Sequence, residues 1–416
     1  MSRMNTLVIM KKCIVLVFLA CSLSVQAVNL ENDIKQRLDS FVNVYQDMER
    51  RIDEAASLRD TTRLIELDYY AIGLVDANKE FLSRIIGERQ LLSMKANFFY
   101  DLTCILARKG LTEAAFYHLS EAERFDYNDW KHILEDHDLD NLRGDVRLDT
   151  ILAQIRSRAD YLQILKQAAP YTPNERADTL PAFTYQSPDD ENLQRVRTYF
   201  KLDSVAGNCD EVSKIKNIMT YIHNLISHDG SHANPDHINA IDMAEACKDG
   251  SRGLNCRGLA IVLNECYLSM GIPARYVTCM PKEYINDCHV INAVWSKQLG
   301  KWLWMDPTWN AWVMDEKGNL LSIQEVRECL RNDTPVVLNE EANWNNQEKQ
   351  TTEEYLYNYM AKNLYYVVVS ANQEFGLEDS AIPNHAHFVN LMPTGFTLDN
   401  AHGRIVNDDA WFWQAP

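Results

Sequence analysis

The feature that most constrains this chain is a long stretch, residues 30–168, that is nearly free of glycine and proline. Apolar residues recur there at three- and four-residue intervals, as in Leu38, Phe41 and Tyr45. This spacing places apolar side chains on one face of an α-helix. We therefore predict an all-α N-terminal domain over residues 28–168.

One part of this region has the spacing of a helix-turn-helix repeat. The facing positions of the two helices are Phe99, Leu102, Leu106, Ala115, Leu119 and Ala122, with Gly110 at the turn. The pattern resembles a tetratricopeptide repeat, of which a stable array needs at least three units. Only one clear unit is recognised, so an ordinary helical bundle explains the region equally well.

The composition changes after the helical stretch. Pro170, Pro173, Pro181 and Pro188 interrupt helical periodicity, which predicts a linker over residues 169–191. A second domain over residues 192–416 follows. Its patterns predict helices at about 192–200, 211–227 and 239–248, and then a helix followed by strands.

The first 27 residues have the pattern of a secretory signal peptide. Basic residues precede the apolar run Cys13–Val25, and Val25-Gln26-Ala27 resembles a cleavage site. We therefore expect an exported protein, periplasmic or secreted. A lipoprotein anchored through Cys21 is the second interpretation. The apolar run is shorter than the roughly 20 residues that a spanning helix needs, so no transmembrane segment is expected.

Charge and spacing argue against several kinds of partner. Lys and Arg total 41 against 59 Asp and Glu, a net charge of −18, which disfavours nucleic-acid binding. A polar segment holds several histidines, but neither an HExxH motif nor paired Cys/His ligands are present. We therefore expect no metal and no cofactor. The histidines and aspartates of this segment are His223, His228, Asp229, His232, Asp236 and His237.

Cys256 is the strongest nucleophile candidate among the cysteines. It follows a polar, glycine-containing segment and begins an apolar-periodic stretch, which predicts a position at a helix N-terminus. The helix dipole and free amides there favour the thiolate. The alternative is an ordinary buried thiol, as expected for Cys266 on the same helix. Cys288 is a weaker candidate.

Two later residues complete a chemical set with Cys256. The alternating segment 289–295 predicts a strand that begins at His289, and residues 301–305 predict a strand that ends before Asp306. Antiparallel pairing of these strands would bring His289 beside Asp306. A thiol, an imidazole and a carboxylate in this order suit acyl transfer, although Asp306 before Pro307 is also an ordinary turn residue.

The same residues carry a resemblance to the transglutaminase-like superfamily. The matching segments are Asn255-Cys256-Arg257, Gly271 through Val277, His289-Val290 with Trp295, and Trp302 through Trp309. The resemblance implies an α+β fold of the papain-like cysteine proteinase type, with Cys256 as nucleophile, His289 as base and Asp306 as orienting acid. The predicted architecture is thus multidomain, an all-α helical domain followed by an α+β domain.

The resemblance leaves the reaction open. Hydrolysis of a peptide or amide bond in a peptide or protein substrate is the leading hypothesis. Protein cross-linking, in which an amine replaces water, is the first alternative. A catalytically silent protein that binds a partner through its helical domain is the second.

Overall fold

The fold is described from a computed structural model that covers residues 25–173, 180–283, 287–381, 386–399 and 401–416. Most of the predicted signal peptide, including Cys21, lies outside the described residues. The chain divides into two compact units, Met1–Asp160 and Tyr161–Pro416. No helix in the described part of the chain is long and apolar enough to cross a membrane.

The described part of the first unit is helical, as the sequence predicted. The helices are α1 (Val25–Ser57), α2 (Thr61–Ala77), α3 (Lys79–Ile86), α4 (Glu88–Arg108), α5 (Thr112–Arg124), α6 (Trp130–Glu135) and α7 (Val146–Ala159), with a 3₁₀ turn at His137–Leu142. Aspartates at the helix starts accept free backbone N–H groups: Asp60 accepts from Arg63 at 3.0 Å.

The predicted facing residues of α4 and α5 lie in the core of this unit. Leu102, Ala115, Leu119 and Ala122 have no exposed surface, and Leu106 is 7% exposed. The helical region is thereby confirmed, while its likeness to a tetratricopeptide repeat stays a prediction.

The second unit combines helices with one main sheet. Its helices are α8 (Tyr161–Lys166), α9 (Glu191–Tyr199), α10 (Leu202–Ala206), α11 (Glu211–Leu225), α12 (Ala240–Ala246), α13 (Cys256–Ser269), α14 (Ile323–Arg331), α15 (Ala361–Asn363) and α16 (Asp409–Phe412), and a π-helix spans Glu353–Met360. Its strands are β1 (Thr184–Tyr185), β2 (Ala274–Met280), β3 (His289–Ser296), β4 (Lys301–Met305), β5 (Val313–Met314), β6 (Val337–Leu338), β7 (Asn343–Trp344), β8 (Glu348–Lys349), β9 (Tyr366–Ser370), β10 (Asn372–Gln373), β11 (Phe388–Leu391) and β12 (Arg404–Val406).

The main sheet has six strands in the order β12-β11-β9-β2-β3-β4. All neighbours are antiparallel except β11 and β12. The antiparallel β3–β4 register pairs Asn292 with Met305, so the start of β3 and the end of β4 lie at the same end of the sheet. Two segments before this sheet also pack within the second unit: α8 contacts α14 and α15, and β1 pairs with β10.

Helices cover both faces of this sheet. Val290 and Val294 of β3 pack with the helices from α9 to α13, whereas Ile291 and Ala293 pack with α14, the π-helix and α16. This alternation follows from the two-residue period of a strand. Because both faces are buried, apolar residues occupy successive positions on either side of Asn292, at 290–291 and 293–295.

Candidate active site

Cys256 is the first residue of α13, as its sequence context predicted. The Asn255 side chain caps the helix by accepting the Gly258 N–H at 3.1 Å. Asn234 in turn donates to Asn255 Oδ1 at 2.9 Å. The cap therefore fixes Cys256 where the free amides of the first helical turn point toward a developing negative charge.

A close approach of two backbone segments precedes this helix. Leu254 N–H donates to Ser227 O at 3.1 Å, and Asp229 N–H donates to Leu254 O at 2.7 Å. A Cβ on Gly253 would overlap the Ser227 carbonyl oxygen, so only glycine fits at this position. The approach places the histidine-containing loop beside the nucleophile candidate.

His289 and Asp306 form a buried pair. His289 begins β3 and Asp306 follows β4, and His289 Nε2 donates to Asp306 Oδ2 at 2.6 Å. Their exposed fractions are 1% and 0%. The thiol of Cys256 lies close enough to the same imidazole for the two groups to shift each other's pKa. Because Nε2 faces Asp306, Nδ1 is the ring nitrogen left for Cys256.

The electrostatics of this group favour a charged thiol–imidazole pair. Burial raises the pKa of Cys256, but its hydrogen bond to His289 and the charge of His289 outweigh burial and hold that pKa below its usual value. Burial lowers the pKa of His289, whereas the charge and hydrogen bond of Asp306 raise it to about 10. By contrast, burial raises the pKa of Cys288 to about 11.

The π-helix contributes two tyrosines that the sequence did not indicate. The Tyr355 hydroxyl donates to Asp306 Oδ2 at 2.5 Å, and the Tyr359 ring centroid lies 5.3 Å from that of His289. Trp309 packs edge-on against both tyrosine rings. No local motif in the sequence marks these tyrosines.

His228 is a further contributor, from the polar loop before the nucleophile helix, where the sequence allowed it to line the cleft but indicated no specific role. Its backbone N–H donates to Asn345 Oδ1 at 2.7 Å, and its Nδ1 accepts from Trp344 Nε1 at 3.1 Å. Burial and the charge of His289 lower the pKa of His228 to about 4. His228 is therefore a neutral imidazole whose remaining proton lies on Nε2.

Arg257, the residue after the nucleophile candidate, has its positive charge neutralised by an ion pair with Glu378. The Arg257 guanidinium donates to both carboxylate oxygens of Glu378, at 2.8 and 2.7 Å. The Tyr276 hydroxyl donates to the same carboxylate at 2.8 Å. This planar, two-point contact fixes the segment around Glu378 against the start of α13.

One group of described side chains has the spacing for a metal ion. His237, Asp242 and Asp379 each offer one ligand atom, and these atoms lie within 4.8 Å of one another. The Asn239 amide donates to Asp242 at 2.8 Å and to Asp379 at 3.3 Å. These hydrogen bonds account for the grouping of the carboxylates without an ion.

The other cysteines are unpaired in the described residues. The free cysteines are Cys104, Cys209, Cys247, Cys256, Cys266, Cys279, Cys288 and Cys329. Cys266 is fully buried, and burial raises its pKa well above the usual range. Cys256 is therefore distinguished by a pKa that the nearby His289 imidazole holds below its usual value.

Comparison with known proteins identifies the class of this unit. Residues 199–307 match the family model described as the transglutaminase-like superfamily. This range contains Cys256, His289 and Asp306. The chain thus carries a transglutaminase-like domain preceded by a helical region. No curated protein and no solved structure gives a significant match.

Proposed function

We propose that the second unit catalyses thiol-dependent acyl transfer, most simply the hydrolysis of a peptide or amide bond. The observation that carries this proposal is the buried hydrogen bond between His289 and Asp306, with the Cys256 thiol near enough to the imidazole for the two groups to shift each other's pKa. It supplies a nucleophile, a proton carrier and an orienting carboxylate at one point. The transglutaminase-like match over the same residues supports the assignment.

In the proposed reaction, the Cys256 thiolate attacks the carbonyl carbon and forms a tetrahedral intermediate. The His289 imidazolium gives its Nδ1 proton to the leaving amine as the carbon–nitrogen bond breaks, which leaves a thioester on Cys256. Water then attacks the thioester while His289 accepts its proton. Release of the carboxylic acid restores the thiolate and the imidazolium.

Two donors suit the oxyanion of the tetrahedral intermediate. The backbone N–H of Cys256 lies at the helix N-terminus, where it has no helical acceptor. His228 Nε2–H is the second donor that we propose, because Trp344 holds Nδ1 and the ring stays neutral at pH 7. A neutral imidazole can donate to the oxyanion without competing with His289 for protons.

An activated ester tests the acyl-transfer step without knowledge of the natural substrate. We expect p-nitrophenyl acetate to release a rapid burst of about one equivalent of p-nitrophenolate, because an acyl-enzyme forms faster than it hydrolyses. Mass spectrometry should locate the acetyl group on Cys256. The Cys256→Ala variant should lose the burst, and the matched Cys288→Ala variant should keep it.

The fate of the acyl group separates the two enzymatic alternatives. Water as acceptor gives acetate, whereas a primary amine such as putrescine gives a stable amide if the domain supports cross-linking. Acetate formation that added amine leaves unchanged would support hydrolysis. A folded protein whose Cys256 takes up no acetyl group would overturn the enzymatic proposal and favour partner binding through the helical region.

Export is proposed on the sequence pattern of residues 1–27 alone. Expression of the full chain in a bacterial host and mass spectrometry of the product test it. A mature N-terminus at Val28 is expected. A lipid-modified Cys21 would establish the membrane-anchored alternative, and an uncleaved chain would refute both.

A further inference from the structure

Tyr355 is a buried tyrosine whose hydroxyl oxygen takes part in two hydrogen bonds. The residue is 1% exposed, and its oxygen lies 2.5 Å from Asp306 Oδ2 and 3.1 Å from Trp304 Nε1. An indole nitrogen can only donate, so it donates to the Tyr355 oxygen. The single phenol proton therefore points at Asp306.

The Asp306 carboxylate accepts three hydrogen bonds. Its Oδ2 accepts from His289 Nε2 at 2.6 Å and from Tyr355, while its Oδ1 accepts the Thr308 backbone N–H at 2.9 Å. The imidazole and the phenol thus share one carboxylate oxygen. The negative charge of Asp306 that is drawn toward the Tyr355 proton is less available to stabilise the His289 imidazolium.

We propose that Tyr355 is a positioning residue that limits the charge Asp306 presents to His289 and so sets the upper pH at which the charged Cys256–His289 pair persists. This inference rests on the proposed function, because it assigns Tyr355 a part in the same site. Tyr355 does not touch the reacting thiol and acts through Asp306.

The position of Tyr355 on a π-helix supports this role. Helices of this type are rare and concentrate at functional sites. The element spans Glu353–Met360 and directs Tyr355 to the carboxylate while Tyr359 packs edge-on against the imidazole. One element therefore contacts both members of the buried pair.

Other ionisable groups also face this pair and remain unchanged by a substitution at Tyr355. They are Cys256 of α13, His228 of the preceding loop, Cys279 of β2, Cys288 before β3 and Tyr359 of the π-helix. Burial keeps Cys279 and Tyr359 uncharged, and His228 is neutral above about pH 4. Cys288 has a pKa of about 11, above the value of about 10 for His289, and it is present in both the wild type and the Tyr355→Phe variant, so comparing the two profiles separates its titration from that of His289.

The test compares Tyr355→Phe with Tyr267→Phe in the full mature chain. Tyr267 is an equally buried tyrosine whose hydroxyl donates to Ile215 O at 2.8 Å, so it controls for loss of one buried hydrogen bond. The rate of Cys256 alkylation by iodoacetate is measured from pH 4 to 11. This anionic reagent reacts fastest while the imidazolium is present, so its rate falls as His289 loses its proton.

We expect the upper limb of the profile, where the alkylation rate falls as His289 loses its proton, to lie at a higher pH in Tyr355→Phe by about half a unit or more. Loss of the phenol hydrogen bond leaves more negative charge on Asp306 to stabilise the His289 imidazolium, and a hydrogen bond to a charged group is strong enough for a shift of that size. The Tyr267→Phe profile should match the wild type. An upper limb that stays at the wild-type pH in a folded Tyr355→Phe protein would overturn the inference.

Two further measurements keep the inference testable. Difluorotyrosine at position 355 has a more acidic phenol and should move the limb to lower pH, which covers the case in which the phenylalanine variant fails to fold. The ¹³C NMR titration of His289 reports its charge even if Cys256 proves unreactive. An unreactive Cys256 would contradict the proposed function, whereas a His289 titration that is unchanged in Tyr355→Phe would contradict the inference.

Discussion

Asp306→Asn is the sharpest perturbation of the proposed triad, because an amide has the size of the carboxylate but not its hydrogen-bonding pattern. All three groups around Asp306 are donors: His289 Nε2, the Tyr355 hydroxyl and the Thr308 N–H. Whichever way the asparagine is oriented, its NH₂ group faces at least one donor. The imidazole loses its counter-charge in both orientations.

The size of the effect follows from the buried geometry. Removing one partner of a buried ion pair costs about 3 to 5 kcal/mol of stability. Without an imidazolium beside it, Cys256 reverts to an ordinary thiol with a pKa of about 8.5, of which only roughly 3% is ionised at pH 7. The alkylation rate of Cys256 at pH 7 should therefore fall by up to about 30-fold, the ratio between a fully ionised thiol and one that is roughly 3% ionised.

The assay is residue-resolved alkylation by iodoacetamide at pH 7, read by mass spectrometry, beside chemical denaturation. Asp408→Asn is the matched control, since Asp408 is also buried and caps α16 by accepting the Trp411 N–H at 2.9 Å. Alkylation of Cys256 at the wild-type rate in a folded Asp306→Asn protein would refute the assignment of Asp306.

Three further predictions follow from local contacts. Gly253→Ala should slow Cys256 alkylation and cost about 1 to 3 kcal/mol, because the new Cβ overlaps the Ser227 carbonyl; an unchanged denaturation midpoint would contradict this. Ser322→Ala should cost about 1 kcal/mol by denaturation, since Ser322 and Glu325 form a reciprocal capping box; no loss would refute it. Burial raises the pKa of Glu265 to about 8, above its unfolded value, so folding at pH 5 to 8 takes up a proton and stability falls as pH rises. Glu265→Gln should remove that dependence, by on the order of 1 kcal/mol per pH unit; parallel pH curves for the two proteins would refute it.

Local chemistry explains which features of the structure could be predicted from the sequence. The asparagine before Cys256 caps the helix, and Ser322 with Glu325 forms a capping box, whose Ser-x-x-Glu pattern is visible in the sequence itself. The strand predicted over residues 301–305 matches β4, because its length and pattern are set within one element. The helical N-terminal region was equally clear, since its spacing is repeated over many turns.

Contacts between distant segments could not be read in this way. His228 and Trp344 are separated by 116 residues, and Tyr355 follows Asp306 by 49. Neither Trp344 nor Tyr355 differs locally from an aromatic residue that only fills the core. A sequence pattern specifies which face of an element is buried, but it does not specify which polar atom that face meets.

The division between these two groups has a chemical basis. The residues found from the sequence are those proposed to make and break bonds, and their requirements are local: a helix start for the thiol, a strand start for the imidazole and a turn for the carboxylate. The residues found only in the structure set the charge of those groups. Tyr355 acts on Asp306, and Trp344 fixes the tautomer of His228. Because the charge of a group is tuned by whatever packs against it, we expect substitutions of Tyr355 and Trp344 to alter the pH range of the proposed triad more than they alter the fold.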